Sequence, residues 1–232
     1  DTNDYETDDT TIRQQCIDDI LSRQLSDGGW ALSGSVSDPD VTSMALQALY
    51  PYRDQAEVSA AAEKALTCLS DVQNEDGGYS SFGDANCESS AQVIVAATTW
   101  GINPDTDSRF VKNNKSVVDD LLTYYIEDEA AFKHVAAGSA NGMATDQACY
   151  ALAAYNRFMN GKTALYDMSD VEFDAAESEV VAGKPVAILG VPSEISDKSG
   201  ENFNATISID QWDNTAGYKL VDFVMNVPAL SL

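Results

Sequence analysis

The sequence predicts a mainly α-helical protein, built from about three helical hairpins and followed by a small all-β module. A Gly-Gly-aromatic motif that ends at Trp30 recurs 49 positions later, ending at Tyr79. Amphipathic segments with helical spacing precede each motif, and Ala-rich apolar runs follow it. After about residue 168, short alternating stretches between Gly, Pro, Asn and Asp clusters replace the helical period, which indicates strands.

The motif marks the turn of each predicted hairpin. Its first two copies read QLSDGGW over residues 24–30 and QNEDGGY over residues 73–79. In a third, degenerate copy Ala130 and Ala131 stand at the glycine positions, and Phe132 takes the place of the aromatic. Each aromatic is followed at a similar distance by a polar residue that opens an apolar run. The repeating unit is therefore predicted to be helix, turn, helix.

The first helix of each unit is predicted to be amphipathic and to belong to an outer layer. Its acidic residues, including the pair Asp119 and Asp120, are interpreted as a solvated outward face. Its apolar positions recur at helical spacing. They are Ile12, Cys16, Ile20 and Leu21 in the first unit, Ala61, Ala65, Leu66 and Leu69 in the second, and Val117, Val118, Leu121 and Leu122 in the third.

The second helix of each unit is apolar or Ala-rich nearly all round, which predicts burial on both flanks and an inner layer. Asp38 is expected to cap the first of these helices, with Pro39 at its first helical position. Asn141 is expected to cap the third. Gly101, followed by Pro104, is expected to end the second.

Three domains are predicted along the chain. Residues 1–8 form a disordered acidic N-terminus, residues 9–165 the helical domain and residues 170–232 the β module. Four strands are few for a sandwich of about seven, which indicates that the module is truncated at Leu232. The strands are expected over residues 171–173, 185–189, 205–209 and 218–224.

The charge excludes some classes of partner. The chain has 38 acidic and 13 basic residues, a formal charge of −25, which disfavours nucleic acid and anionic membrane surfaces. Hydrophobic residues make up 44%, so the acidity is carried by a chain that can fold rather than by a disordered one. No stretch approaches the roughly 20 apolar residues that span a bilayer, so membrane insertion is not expected.

The chain begins without Met and without the basic and apolar regions of a signal peptide. We therefore expect a piece of a longer extracellular or cell-surface protein whose leader has been removed. The four cysteines show no metal-binding spacing. Isolated buried thiols are favoured over disulfides, with the pairing left open for Cys16, Cys68, Cys87 and Cys149.

The Gln-(x)3-Gly-Gly-aromatic repeat between paired helices resembles the prenyltransferase and squalene-oxidase repeat, the building block of the α/α toroid, over about residues 9–160. Residues 91–96 and 143–148 look most like the cobalamin carriers and the surface proteins of Gram-positive bacteria. A full toroid of this family has about six hairpins, so three imply part of a ring, which self-association or neighbouring sequence would complete. The β segment resembles cohesin-like or immunoglobulin-like modules.

The resemblance implies that the motif residues are structural, with the aromatics packing the turn against the next inner helix. It leaves cobalamin as a candidate ligand, and no other cofactor is predicted. The motif residues are Gln24, Gly28, Gly29, Trp30, Gln73, Gly77, Gly78, Tyr79 and Phe132.

Enzymes of this group use catalytic carboxylates or zinc ligands that this sequence matches poorly. Protonating cyclases use an Asp-x-Asp-Asp acid. Asp38 and Asp40 lack the third carboxylate, and Pro39 favours capping instead. Prenyltransferases hold zinc, but His134 is the single histidine and has no nearby Cys, so a structural role in a turn is favoured.

Short polar groups recur at the N-terminal ends of the inner helices, where they indicate either ligand contacts or caps. We expect a non-catalytic binding or adhesion module of a secreted bacterial protein, which presents a concave helical surface to a small molecule, glycan or protein. The alternatives are a terpene-cyclase-like or prenyltransferase-like enzyme and a spacer for an adhesive β domain. The candidate ligand-binding residues are Thr42, Ser43, Ser90, Gln92, Thr145, Asp146, Gln147 and His134.

Overall fold

The computed structural model describes residues 10–171 and two later strands, Val186–Gly190 and Ser208–Asp213. The chain divides into two compact units, Asp1–Glu172 and Phe173–Leu232. The predicted acidic N-terminus over residues 1–8 lies outside the described residues.

The first unit is mainly helical, as predicted. Short turns of 3-10 helix at Tyr50–Tyr52, Ser108–Phe110 and Glu127–Glu129 lie between its helices. The α-helices of the described residues are α1 (Thr10–Ser22), α2 (Pro39–Leu49), α3 (Ala56–Val72), α4 (Cys87–Thr99), α5 (Val117–Thr123) and α6 (Gly142–Met159). Six helices in the described residues are the number that three pairs require, but the main contacts do not follow the predicted pairs, because α3 packs on α2 and α5 packs on α4.

Two-residue antiparallel hairpins, which the sequence prediction missed, lie between the helices. Two of them turn through residues that both have positive φ, namely Phe82 with Gly83 and Asn113 with Asn114, as a type I′ turn requires. The strand pairs are β1 (Ser80–Ser81) with β2 (Asp84–Ala85), β3 (Val111–Lys112) with β4 (Lys115–Ser116), and β5 (Tyr125–Ile126) with β6 (Ala131–Phe132).

Helix α4 occupies the centre of the unit. It contacts α2 on one side and α6 on the other, and every residue of α4 is buried. The prediction of burial on both flanks is thus correct for this helix. The two helices beside it each keep an exposed side, where Met44 of α2 and Met143 of α6 lie.

The outer helices bury the predicted faces to different extents. All four predicted positions of α3 are buried. In α1 the prediction is partly wrong, because Ile12 and Cys16 are exposed and Ile17 is the buried residue. In α5 Leu122 is exposed, although the other three predicted positions, Val117, Val118 and Leu121, are buried. Helix α3 contacts both α1 and α2, and a helix enclosed on more sides buries more of its surface.

Polar side chains cap the three inner helices at equivalent positions. The Asp38 carboxylate accepts from the backbone N–H groups of Asp40 and Val41 at 3.0 and 3.1 Å. Asn86 caps α4 and Asn141 caps α6, each accepting from the third backbone N–H of its helix. The predicted caps at Asp38 and Asn141 are confirmed.

Asp38→Ala is expected to lower the free energy of unfolding by about 1 kcal/mol, because the first turn of α2 loses its acceptor. Asp38→Asn is the control, since asparagine already caps α4 and α6 in this chain. Urea unfolding followed by circular dichroism measures both variants. Equal losses in the two would assign the effect to the charge of Asp38 rather than to the cap.

In the second unit, β7 (Val186–Gly190) pairs antiparallel with β8 (Ser208–Asp213). The register matches Ala187 with Trp212, and it shifts at a bulge between Ile188 and Leu189. The two strands overlap the segments predicted over residues 185–189 and 205–209. Val171 lies outside any strand. The remainder of the first predicted strand, and all of the last, fall outside the described residues.

Candidate functional site

The repeated glutamine joins the turn of one sequence repeat to the repeat that follows it in the helical unit. Gln24 Nε2 donates to the carbonyls of Gly28 and Ala61, both at 2.8 Å. Gln73 Nε2 donates in the same way to Gly77 at 2.7 Å and to Phe110 at 2.9 Å. In each case the second acceptor lies 37 residues further along the chain, so these side chains work inside the fold.

The motif aromatics are buried and bind back to the preceding helix. Trp30 Nε1 donates to the carbonyl of Ile20 at 2.6 Å, and the Tyr79 hydroxyl donates to that of Leu69 at 3.0 Å. Phe132, which has no polar group, packs against Tyr125 with ring centroids 5.1 Å apart. None of the three presents a free ring face on an open surface, since each is at most 4% exposed.

Two of the candidate ligand-binding residues hold the turns. The Thr42 hydroxyl accepts from the Trp30 backbone N–H at 2.9 Å and lies 3.1 Å from its carbonyl. Thr145 accepts from the Phe132 N–H at 2.9 Å. Ser43 is fully buried, and its hydroxyl has no partner among the described residues.

Three amides form a chain across the inner helices. Gln47 Nε2 lies 3.2 Å from Gln92 Oε1, and Gln92 Nε2 donates to Gln147 Oε1 at 3.1 Å. Tyr150 contacts both Gln92 and Gln147. The candidate ligand-binding residue Gln92 is 5% exposed. Its side chain therefore links α2 to α6 and presents little surface to a ligand. Asp146 is exposed.

His134 lies against α4, where its Nδ1 is 2.7 Å from Glu88 Oε2. Asp38 and Asp40 lie near the same end of the inner helices. Burial raises the pKa of Asp40, and the charges of Asp38 and Glu88 raise it further. Asp40 Oδ1 is buried and has no hydrogen-bond partner within residues 10–171. No group of His, Cys, Asp and Glu in the described part of the chain is placed to hold a metal ion.

The interpretation of Asp120 as a solvated acid is wrong. Its side chain is 6% exposed, and Ser90 Oγ donates to its Oδ2 at 2.6 Å. Burial raises the pKa of Asp120 to about 6, against the lowering effect of the Ser90 hydrogen bond. The sequence pairs it with Asp119, but only Asp119 faces outward, where it completes the capping box of α5 with Ser116.

The cysteines are all free. Cys68 and Cys87 are buried, as predicted, whereas Cys16 and Cys149 are exposed. Burial raises the pKa of Cys87 to about 12, which keeps this thiol protonated and unreactive at neutral pH.

A cavity of about 380 Å³ opens beside the C-terminal ends of α2 and α4, within the range of about 300–1,000 Å³ that is typical of small-molecule sites. Four parts of the chain form its wall. Arg13 comes from α1, Gln47 from α2 and Thr99 from α4, while Tyr166 and Asp167 follow α6. None of the eight candidate residues of the sequence analysis lines it.

The aromatic side of this cavity is held in place by neighbours. Tyr50 meets Trp100 edge-on with ring centroids 5.4 Å apart, and Trp100 Nε1 donates to the carbonyl of Leu46 at 2.9 Å. The guanidinium of Arg53 lies over the Tyr50 ring, 4.3 Å from its centroid. The signal in the sequence is the segment YPYR over residues 50–53, directly after an Ala-rich helix.

Comparisons with known proteins add no assignment. No protein-family model matches this chain, and no curated protein matches it. None of the helices in the described residues has both the length and the apolarity needed to cross a membrane. The site must therefore be interpreted from its own chemistry.

Proposed function

We propose that the helical unit is a non-catalytic saccharide-binding module, a partial α/α toroid of three hairpins that holds a sugar in the cavity beside Tyr50. The observation that carries the proposal is the composition of the cavity wall. Tyr50, Tyr52 and Tyr166 supply aromatic rings. Gln47 and Asp167 add an amide and a carboxylate.

This wall suits the two kinds of surface on a sugar ring. A pyranose exposes C–H groups on its faces, which pack on aromatic rings, and hydroxyls around its edge, which need donors and acceptors. A mainly apolar pocket with a few placed polar groups is the general form of a small-molecule site. The contacts of Tyr50 with Trp100 and Arg53 keep this ring in place before binding, which lowers the entropic cost of association.

The carboxylates of the cyclase-like alternative lie elsewhere. Asp38 is occupied by the cap of α2 and by a contact with Ser81. Asp40, although its pKa is raised, is not among the residues that line the cavity. A protonating acid must face the substrate, so this arrangement favours binding over catalysis.

The order of the inner helices supports the partial toroid, since α4 packs between α2 and α6. The net charge of −25 suits a protein of the cell surface or the extracellular medium, because mutual repulsion between strongly charged molecules keeps a protein soluble and monomeric. We place the module there as part of the proposal.

Tyr166→Ala is expected to weaken saccharide binding about tenfold, because an exposed ring that lines the cavity loses its stacking contact. Phe82→Ala is the matched control, since Phe82 is the most exposed aromatic of the described residues and lies in the β1–β2 turn. The measurement is binding of the full chain to a printed array of defined oligosaccharides. The proposal fails if the parent chain binds none of them, or if both variants lose binding equally.

A further inference from the structure

A buried hydroxyl without a partner lies in the wall of the cavity. Thr99 is 6% exposed, and its Oγ1 makes no hydrogen bond with the described residues. The hydroxyl of the neighbouring Thr98, by contrast, is paired within its own helix. It donates to the carbonyl of Ile94 at 2.9 Å and also contacts that of Val95. Buried polar groups are almost always paired, so the Thr99 hydroxyl is an unsatisfied group in a residue that lines the cavity.

Arginine is concentrated at this cavity in a strongly acidic chain. Arg13 and Arg53 both line it. Three further arginines lie against carboxylates, namely Arg23 with Asp19, Arg109 with Asp107 and Arg157 with Asp170.

Arg53 is held differently from these three. Its guanidinium stacks over Tyr50, and Nη1 donates to the Tyr50 carbonyl at 3.1 Å. Within residues 10–171 it forms no ion pair. The Arg53 guanidinium is held by the Tyr50 ring and carbonyl and still has further N–H donors. The preferred acceptor of such donors is a carboxylate.

Resting on the proposed function, we propose that the saccharide carries a carboxylate, which Arg53 binds while the Thr99 hydroxyl bonds to an oxygen of the same sugar. Asp167 is the one carboxylate among the described residues that line the cavity. Asp167 accepts from sugar hydroxyls, which a uronic acid retains.

Methyl glucuronide and methyl glucoside are suitable probes, because they differ only in the group attached to C5, which is a carboxylate in the first and a hydroxymethyl group in the second. NMR titration of the full chain is expected to show about tenfold tighter binding of the glucuronide. Arg53→Gln should abolish this preference. Arg23→Gln removes the same charge from an exposed ion pair on α1 and should leave the preference unchanged.

Thr99→Val should weaken binding of the glucuronide about fivefold, while Thr98→Val should leave it unchanged. Stability should change in the opposite sense. Thr99→Val removes an unpaired buried hydroxyl and should unfold at an equal or higher urea concentration, whereas Thr98→Val removes a paired one and should unfold earlier. Both variants can thus be checked for folding by the same measurement.

The outcomes separate this inference from the proposed function. Equal binding of the two probes, or a preference for the glucoside, overturns the carboxylate and leaves the saccharide module standing. Binding of neither probe overturns the inference as well. The saccharide module then stands if the array still reveals a neutral glycan whose binding depends on Tyr166, and fails if no array glycan binds.

Discussion

Gly77→Ala is expected to lower the free energy of unfolding by about 3–5 kcal/mol. Gly77 has φ of +92°, and an added Cβ would lie 2.8 Å from the carbonyl oxygen of Lys115 and 2.9 Å from that of Ser116. The left-handed backbone costs a β-carbon about 1 kcal/mol or more. The contact costs more, because the neighbours are backbone atoms that precede α5 and must be displaced.

Gly83→Ala separates the two causes. Gly83 has φ of +95°, but no other atom lies within 4 Å of the Cβ position. This control should therefore show only the backbone cost, about 1 kcal/mol. Urea unfolding followed by circular dichroism measures both variants. Equal losses of unfolding free energy in the two variants would show that the close approach of the Lys115 and Ser116 backbone to Gly77 does not require glycine.

The same contact explains why the motif changes in its third copy. At Gly28 an added Cβ would lie 2.7 Å from the carbonyl oxygen of Lys64 in α3, so each of the first two turns receives the backbone of the next unit. Ala130, at the equivalent position, keeps a left-handed φ of 47° and is exposed. An exposed alanine at this position costs only the backbone strain.

Asp120→Asn is expected to stabilise the protein at neutral pH by up to about 3 kcal/mol. The folded protein raises the pKa of Asp120 from 3.8 to about 6, so the folded state binds the proton more tightly than the unfolded state. Stability from this group is greatest below about pH 4 and falls as the pH rises through about 6. Above that pH both states are ionised, and the full cost of the buried charge remains.

The test compares the unfolding free energies of the parent chain and Asp120→Asn between about pH 4 and pH 7. Their difference should grow as the pH rises through this window and then level off. Ser90→Ala is the matched variant, because the Ser90 hydroxyl lowers the pKa of Asp120. Its removal should extend the fall in stability to higher pH. A difference that stays constant with pH would show that Asp120 does not titrate in this range.

The local features of the fold were predictable because they act over a few residues. The caps at Asp38 and Asn141 were confirmed, since a capping side chain binds N–H groups two or three positions further along. The turn hydrogen bonds of Gln24 and Gln73 repeat with equal spacing. The extra hairpins were missed, because a two-residue strand has no detectable alternation.

The environment of Asp120 could not be predicted in the same way. Asp119 and Asp120 are adjacent acids of one short helix, and their separate fates depend on Gly78 and Ser90 in the preceding unit. A Cβ at Gly78 would lie 2.5 Å from the Asp120 carboxylate. The Asp120 carboxylate fills the space that Gly78 leaves, and only the packing of one sequence repeat against the next shows this.

By itself, the sequence determined that residues 10–171 are mainly helical, with capped helices and glycine-containing turns, because helical period, caps and turn residues are properties of neighbouring positions. Only the tertiary structure decided where a cavity forms and which groups face it. Arg13, Thr99 and Tyr166 are far apart in the chain and carry no shared pattern. They meet because the ends of α2 and α4 lie beside α1 and the segment after α6, an arrangement set by packing between helices rather than by any one of them.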